Sequence, residues 1–481
     1  MLCAVSLQVM RKNRTYTFID LFAGAGGFSL GFTRAGFTCV GVVENDLRAS
    51  ETYKLNFPQH ASLPLSRFGP VNGDILAITR KDIEEAGLPE VDVLLAGPPC
   101  QGFSRVGRGK LDHLADQEGA FKSDPRNNLY LKFLEVMEWV QPRTFLFENV
   151  PGILHFGGTN VAEAICDRGK AAGYEVLCTV LNSAWYGVPQ IRERVFIFGI
   201  RSDLGIVPSF PRPIHSARLT KGHITALKLS SDLFTDVSFF KRTENPRKGP
   251  PAVSVLQALG DLPPFLDHLI DPQYRPIREE IEACSYRVGR PSLYSSLMRR
   301  WNRRLVSNRV LDHFCRLTKR DFETFGLMKP GDVYPRAVEI AEKRYEQAKH
   351  RYLKGLSESP PKRKNYIPPY DKESFEEKWW KLIPSEPART ITAHLARDCY
   401  SHIHYDTQKR AITVREAARL QSFPDAFVFC GNMGNCYRQI GNAVPPLLAF
   451  SLAKHIKRLL ARTDDSGVKR RKAKSQITDH A

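Results

Sequence analysis

The chain has 481 residues, of which 42% are hydrophobic and 25% are charged. This composition is typical of a globular protein with two or three domains, and it excludes a largely disordered chain. Lys and Arg number 70 against 51 Asp and Glu, a formal net charge of +19. That excess favours a polyanionic partner, nucleic acid or an acidic surface, although a basic solvated face also serves solubility.

The ten cysteines are scattered, with no CxxC pair and no Cys/His grouping at zinc-finger spacing. This pattern predicts a reducing compartment and no structural metal. No run approaches the ~18 apolar residues of a membrane span, and the first ten residues lack the pattern of a signal peptide. We therefore expect an intracellular protein with no membrane partner. The informative pattern begins after Met10, which makes Met10 a candidate start codon besides Met1.

The first 200 residues alternate short apolar runs with helical patterns. The runs predicted as strands are 16–22, 39–44, 91–96, 144–148, 175–181 and 195–200. Such alternation predicts a doubly wound α/β sheet. The segment 128–140 has helical apolar spacing, and its predicted buried face consists of Leu129, Phe133, Leu134, Val136 and Met137.

A glycine-rich turn at 23–27 follows the first strand, where a βα turn brings the backbone close to a ligand. Glu44 lies 20 residues beyond Gly24, at a strand end where a carboxylate can accept both hydroxyls of a ribose. Together they predict a nucleoside-cofactor site, whereas a lone glycine turn could be purely structural. The GxGG spacing and the missing Lys-Ser/Thr disfavour nicotinamide cofactors and P-loop phosphates. Asp74 could accept from an adenine amino group, but alone it fits an ordinary turn aspartate equally well.

Cys100 follows the strand 91–96 in a loop fixed by two prolines, and ligands bind at such strand ends in open α/β sheets. A free thiol has a pKa of about 8.5, so a nucleophilic cysteine needs a site that favours the thiolate or removes its proton. An inert buried thiol is the alternative.

Glu148 ends the strand 144–148 and is expected at the same sheet edge, where a carboxyl can act as a general acid toward a ring nitrogen. A capping or ion-paired glutamate is the alternative. Arg192 and Arg194 precede the last strand and supply two guanidinium groups, one to reach the substrate and one to orient carboxylates or phosphates.

The rest of the chain divides by composition. We predict a first domain at 15–200 and, because 201–384 is rich in proline and basic clusters without βα rhythm, a separate irregular domain there. Regular patterns return at 385–435, which we assign to the remainder of this second domain. A C-terminal helix at 436–462 would complete the first domain, and 463–481 is a basic tail. Within that tail, 468–474 is expected to be a disordered solvated end rather than a targeting signal.

Six sequence blocks, in order, resemble the DNA cytosine-5 methyltransferase family. They are DLFAGAGG at 20–27, GPPCQGFS at 97–104, ENV at 148–150, QIRER at 190–194, REAARLQSFP at 415–424 and QIGNAVPP at 439–446. The resemblance covers essentially all of the chain except the middle and the ends. It implies a Rossmann-like methyltransferase sheet and a second, smaller irregular target-recognition domain at 201–384.

The resemblance also implies S-adenosylmethionine as methyl donor and no metal. Cys100 would be the nucleophile, with Glu148 and Arg194 gripping the cytosine. Substrate or DNA contacts are expected from Gln101, Ser104 and Arg192. The residues expected to line the donor pocket are Phe22, Gly24, Gly26, Gly27, Glu44, Asn45, Asp74, Ile75, Leu129, Asn442 and Ala443.

The activity implied is sequence-specific methylation of C5 in a flipped-out cytosine, through a covalent adduct of the cysteine at C6. The implied partner is double-stranded DNA, joined by a cognate restriction endonuclease encoded nearby if the enzyme belongs to a restriction-modification system; a solitary regulator is the alternative. The family is most often monomeric, and no heptad pattern predicts otherwise. The expected location is the cytoplasm, at the nucleoid if the source is bacterial.

Three other functions remain to be weighed. A tRNA cytosine-5 methyltransferase shares the chemistry, but the loop 97–104 reads as the DNA-type version and the middle domain is large. An inactive DNA-binding relative is disfavoured by intact Cys100, Glu148, Arg194 and Glu44. A fused restriction nuclease finds little room, because the middle domain is already needed for recognition.

Overall fold

A computed structural model describes most of the chain. The described residues are 14–60, 63, 73–99, 129–155, 159–217, 233–246, 248–264, 284–302, 306–315, 319–371, 373, 378–397, 400–406 and 408–478.

A six-stranded sheet with the strand order β2-β1-β3-β4-β6-β5 forms the centre of the fold. Its strands are β1 (Thr17–Leu21), β2 (Thr38–Val43), β3 (Val93–Ala96), β4 (Thr144–Asn149), β5 (Tyr174–Asn182) and β6 (Glu193–Arg201). Each predicted strand is present, with bounds within two residues of the prediction, so the α/β class is confirmed.

The strand directions add a detail that periodicity does not contain. Strands β1 to β4 pair in parallel, whereas β6 is antiparallel to both β4 and β5. The connection from β5 to β6 is the short segment 183–192, which contains only a 3-10 turn at Ser183–Tyr186. Because a parallel connection needs a crossover of a dozen or more residues, this short link produces an antiparallel pair.

Helices flank the sheet and build the rest of the described chain. They are α1 (Gly27–Arg34), α2 (Leu47–Asn56), α3 (Arg80–Glu85), α4 (Leu129–Val140), α5 (Val161–Ala171), α6 (Val255–Leu259), α7 (Leu293–Arg299), α8 (Lys319–Leu327), α9 (Tyr334–Leu353), α10 (Val414–Leu420), α11 (Met433–Asn442) and α12 (Pro446–Thr478). None of these described helices has the length and apolar character needed to cross a bilayer.

Two hydrophobic cores cover the two faces of the sheet. Alternate strand residues point to opposite faces: Phe18 and Leu95 belong to the core that contains α1 and α12, and Ile19 and Leu94 to the core that contains α4 and α5. The predicted buried face of α4 is confirmed, because its buried residues are the five named from the sequence.

The C-terminal helix α12 packs back onto the first helix α1. A Cβ built on Gly31 of α1 would lie 2.5 Å from the Ala449 Cβ and 2.6 Å from the Phe450 backbone nitrogen of α12. Glycine is therefore needed where these helices touch. Two expectations were wrong here. The stretch 436–462 contains two helices rather than one, and α12 continues through 468–474, where we expected a disordered end.

The middle of the chain contributes to two cores. Val255, Met298 and Trp301 belong to the large core beneath α1 and α12. A smaller core contains Phe325 of α8, Tyr334 of α9 and residues from the segments that follow. None of the six strands of the sheet lies in the described part of 202–384, but that part contains the helices α6 to α9, among them the 20-residue α9, so it is more regular than the sequence analysis expected.

Candidate active site

The carboxyl ends of β1 to β4 lie at one edge of the sheet because these strands are parallel. The loops that leave this edge begin at Phe22, Glu44, Gly97 and Val150. Ligands bind at such an edge in open α/β folds. Cys100, Gln101 and Ser104, which the sequence predicts here, lie outside the described residues.

The glycine-rich loop after β1 turns sharply. Phe22, Gly24 and Gly26 have φ values of 58°, 56° and 95°, so three of five consecutive residues are in the left-handed region. A side chain at Phe22 makes that conformation costly, and such residues are concentrated at ligand sites. A Cβ at Gly26 would lie 2.5 Å from a ring atom of Phe57. The Phe57 ring therefore packs directly behind the loop at Gly26.

Glu44 fastens this loop to the end of β2. Its Oε2 accepts a hydrogen bond from the Gly24 backbone N–H at 2.7 Å, and its Oε1 accepts one from the Asp46 N–H at 2.7 Å. Burial raises the pKa of Glu44, and the two N–H donors oppose that rise. An ionised carboxylate has about four acceptor positions. Each oxygen can therefore accept one further hydroxyl.

Five of the remaining residues of the predicted donor pocket lie either at a hydrophobic core or at the surface. Phe22, Ile75 and Leu129 meet in the core that contains α4. Asp74 and Asn45 are exposed, and the Asp74 carboxylate caps the turn at Ile75–Ala77 by accepting from Leu76 N–H, which is the turn role left open above.

Asn442 is the last residue of α11 and Ala443 follows it, next to the start of α1. A Cβ on Gly27 would lie 3.3 Å from the Ala443 Cβ and 2.2 Å from the Val444 carbonyl oxygen. Asn442 is exposed and Ala443 is buried. Segments far apart in the sequence thus meet beside the glycine-rich loop.

Glu148 and Arg194 form an ion pair at the end of β4. The Arg194 Nε lies 3.0 Å from the Glu148 Oε1, with only 13% and 8% of the two side chains exposed. Burial raises the pKa of Glu148, although the charges of Arg194 and Arg192 oppose the rise. The result is a carboxyl that takes a proton more readily than a solvated glutamate, as a general acid near neutral pH requires.

This carboxyl faces the loop that leads to Cys100. A Cβ built on Gly97 would lie 3.5 Å from the Glu148 Oε2, and the Asn149 side chain donates to the Pro98 carbonyl at 3.3 Å. The loop after β3 is therefore tied to the end of β4. Glu148, Arg194 and the start of the proline loop are brought together, as the sequence predicts.

The expectation for Arg192 needs correction, because only 1% of the residue is exposed. Its guanidinium donates to the carbonyls of Ile391, Gly441 and Ala443 at 2.9, 2.8 and 3.2 Å. Since β6 begins at Glu193, Arg192 lies in the turn before the strand and points into the protein. It positions the segment at Asn442 rather than contacting DNA.

A buried polar chain behind the glycine-rich loop was not predicted. The Ser29 hydroxyl donates to Asp20 Oδ2 at 2.6 Å and lies 2.7 Å from the Tyr53 hydroxyl, which lies 3.0 Å from the His60 Nδ1. Burial raises the pKa of Asp20 to about 7 and lowers that of His60 to about 4. The available signal was an aspartate inside an otherwise apolar strand. No group of three or more potential metal ligands occurs among the described residues.

The chain is similar to known proteins along most of its length. The family model for C-5 cytosine-specific DNA methylase matches residues 16–248 and 295–458. The "Putative type II methyltransferase M.OihORF3336P" of Oceanobacillus iheyensis is 35% identical over 446 residues, which cover 92% of this chain and 95% of that protein. Type II methyltransferase M.AgeI of Thalassovita gelatinovora is 34% identical, covering 91% and 98%.

A solved structure supports the fold alone. It is a "putative DNA modification methyltransferase encoded within prophage" from E. coli, with a TM-score of 0.60 and 24% identity. The match covers 93% of this chain and 100% of that one.

Proposed function

The chain belongs to the C-5 cytosine-specific DNA methylase family, and from this we propose that it methylates C5 of cytosine within a specific sequence of double-stranded DNA. The observation that carries the proposal is the buried pair of Glu148 and Arg194 facing the loop that leads to Cys100. The same edge of the sheet holds the loop fastened by Glu44. A site for a pyrimidine ring thus adjoins a site for a nucleoside.

S-adenosylmethionine fits the second site and, when bound, supplies the methyl group. Glu44 would accept the ribose hydroxyls on its free acceptor positions, and Phe22 would pack against the ligand. Asp74 has one carboxylate oxygen in its turn cap and one available for an adenine amino group. The proposed lining is Phe22, Gly24, Gly26, Gly27, Glu44, Asn45, Asp74, Ile75, Leu129, Asn442 and Ala443.

Cys100 is the proposed nucleophile, and its thiolate adds to C6 of the cytosine. Glu148 donates a hydrogen bond or a proton to N3, which the raised pKa of its buried carboxyl favours. Electron density then rises at C5, which would attack the methyl group while the bond from that methyl to the donor sulfur breaks and the sulfur leaves as a neutral thioether. A base removes the C5 proton, the C6–S bond breaks, and the thiolate of Cys100 leaves. Arg194 holds the Glu148 carboxyl in place.

The cytosine must leave the duplex, since a stacked base cannot present both faces, and this costs a few kcal/mol. Phosphate contacts of the basic protein offset the cost. We propose 201–384, with 385–435, as the target-recognition domain, and Gln101 and Ser104 as DNA contacts. The catalytic domain would be 15–200 with 436–462, followed by the tail 463–481.

The names of the relatives also indicate a biological role for the proposed enzyme. Both relatives described above are named type II methyltransferases, so we propose that this enzyme protects DNA from a cognate restriction endonuclease encoded nearby. It would act as a monomer in the cytoplasm, at the nucleoid. A tRNA substrate is disfavoured, because these relatives are named for type II DNA modification and align along nearly their full length.

The test is expression of the chain and of its Cys100→Ala variant in a host without cytosine methylation, followed by base-resolution sequencing of 5-methylcytosine. We expect methylation confined to a short motif, and none from the variant. Donor binding by the purified variant is the control for folding. Equal methylation by both proteins would remove Cys100 from the mechanism, and no methylation by either would leave an RNA substrate or an inactive relative.

A further inference from the structure

A cleft of about 730 Å³ opens on the α12 side of the sheet, beside β5. Its walls are the segments 209–214 and 241–243, one face of α12, and Tyr186. Its basic lining residues are Arg212, Lys241, Arg242, Lys454, His455 and Arg458. No carboxylate lines this cleft among the described residues.

The walls are fixed by hydrogen bonds. The Lys241 N–H donates to the Cys178 carbonyl of β5 at 3.0 Å, and the Tyr186 hydroxyl donates to the Pro211 carbonyl at 2.9 Å. The Ser209 hydroxyl lies 3.0 Å from the His455 Nε2, which joins one wall to α12. The cations are thus carried on a preformed surface.

The charges of the cleft are not neutralised within the described part of the chain. None of Arg212, Lys241, Arg242, Lys454 or Arg458 forms an ion pair with a described carboxylate, although Lys454 lies 5.4 Å from the centre of the Phe450 ring. Burial, with the positive charges of Arg458 and Arg462, lowers the pKa of His455. Such a concentration of like charge is stabilised by an anionic ligand.

The position of the cleft relates it to the proposed DNA path. Both β4 and β5 are antiparallel to β6, so they run in the same direction, and the turn after β5 lies at the same sheet edge as Glu148. Two strand spacings of about 4.8 Å separate β5 from β4. The cleft itself meets β5 at Cys178, four residues or about 13 Å before that edge, so DNA reaches it only where duplex flanking the target site continues past β5 and along the side of the sheet.

We propose that the cleft binds phosphates of the duplex flanking the target site, as a second DNA contact besides the catalytic edge. This inference rests on the proposed function, since it needs a duplex at that edge. A duplex carries one negative charge per ~1.7 Å of its axis, and basic side chains bind it by releasing condensed counterions. The cleft adds affinity without reading bases.

The test is the salt dependence of DNA binding by the double variant Lys454→Ala/Arg458→Ala. These residues lie one helical turn apart on α12, and alanine preserves the helix. The matched control is Arg80→Ala/Lys81→Ala, which removes two exposed charges from α3 on the opposite side of the sheet. Binding to a long duplex containing the methylated motif would be measured at several salt concentrations.

We expect the slope of log K against log salt to fall in magnitude by about two for the α12 variant, at about 0.9 per lost phosphate contact, and to stay unchanged for the control. Turnover at saturating DNA should match the wild type in both. An unchanged slope in the α12 variant, with wild-type protein that binds and methylates DNA, overturns only the cleft. If polyglutamate then binds wild type but not that variant, the partner is an acidic protein. Absence of DNA methylation by the wild type would instead refute the proposed function.

Discussion

Glu148 combines three properties in one side chain: burial, an ion pair with Arg194, and a carboxylate oxygen 3.5 Å from where a Cβ on Gly97 would lie. We expect Glu148→Gln to lower the single-turnover methylation rate by about 10²–10⁴, the usual contribution of a general acid. Glutamine keeps a hydrogen-bond donor but has no proton to transfer. Affinity for S-adenosylmethionine, measured by calorimetry, should be unchanged because Glu44 lies in another loop. Glu193→Gln, the adjacent carboxylate on β6, is the control, and an equal loss there would contradict the role of Glu148.

Asp20 is expected to make stability depend on pH. It is fully buried, Ser29 donates to its Oδ2, and its Oδ1 has no hydrogen-bond partner among the described residues. Its pKa is raised by burial to about 7, against about 3.9 for an unfolded chain. Between these values the native state binds more protons than the unfolded state, so stability falls as pH rises through this window.

Asp20→Asn removes this titration. The free energy of unfolding of the variant should therefore gain on the wild type as pH rises from about 4 to about 7, by on the order of 4 kcal/mol at most, and then level off. Urea unfolding at pH 4.5, 6 and 8 measures the difference. Parallel curves for the two proteins would show that Asp20 is already ionised in the fold.

From the sequence, the residue types of the site could be predicted better than the burial and the contacts of their side chains. Glu148 was expected at the sheet edge because it ends a recognisable strand, and the family resemblance placed Arg194 with it on the cytosine, but their ion pair was not predicted. The prediction that Arg192 contacts DNA was wrong. Whether the arginine two residues before Arg194 faces solvent or backbone carbonyls depends on where β6 begins. The Asp20 to His60 chain was missed because it joins residues from β1, α1, α2 and the turn Pro58–His60 after α2, whose proximity is a tertiary property.

The contact between α1 and α12 depends on the absence of a side chain at Gly31. We expect Gly31→Ala to lower the free energy of unfolding by about 1–3 kcal/mol, the usual cost of overpacking, because the added methyl meets backbone atoms of α12. Gly326→Ala in α8 is the control. The atoms nearest to its Cβ would belong to the flexible Lys409 side chain, so the substitution should be neutral or stabilising by up to about 1 kcal/mol. Denaturant midpoints separate the two, and equal shifts would contradict the close contact.

Elements of strong periodicity could be predicted, and elements that depend on distant partners could not. The strands and the buried face of α4 follow from local patterns. The short helices α6 and α7 escaped prediction because they are only 5 and 7 residues long and are buried against α10, far away in sequence. The antiparallel placement of β6 also follows from loop length rather than from any pattern within the strand.

The first domain is built from both ends of the described chain. Leu448, Ala449 and Leu452 of α12 are buried in the large core, and the Asp464 carboxylate accepts hydrogen bonds from Tyr16 and Arg143 at 2.7 and 2.8 Å. We expect a chain ending at residue 464 to unfold cooperatively near the full-length midpoint. A chain ending at 445 should lose cooperative unfolding and donor binding together. Thermal denaturation followed by tryptophan fluorescence measures the unfolding of both truncated chains, and titration with S-adenosylmethionine measures donor binding. Cooperative unfolding of the chain ending at 445 would contradict this dependence.

The meeting of α1 and α12 also governs what happens during synthesis. Gly31 and Ala449 are separated by roughly 400 residues, which a ribosome adds in about 20–80 s at 5–20 residues per second. For that time Phe28, Phe32 and the strand residues beneath them have no covering helix. The nascent chain therefore presents an apolar sheet face to solvent until α12 emerges, which makes it a client for chaperones that shield such surfaces and delays the first methylation until α12 has been translated.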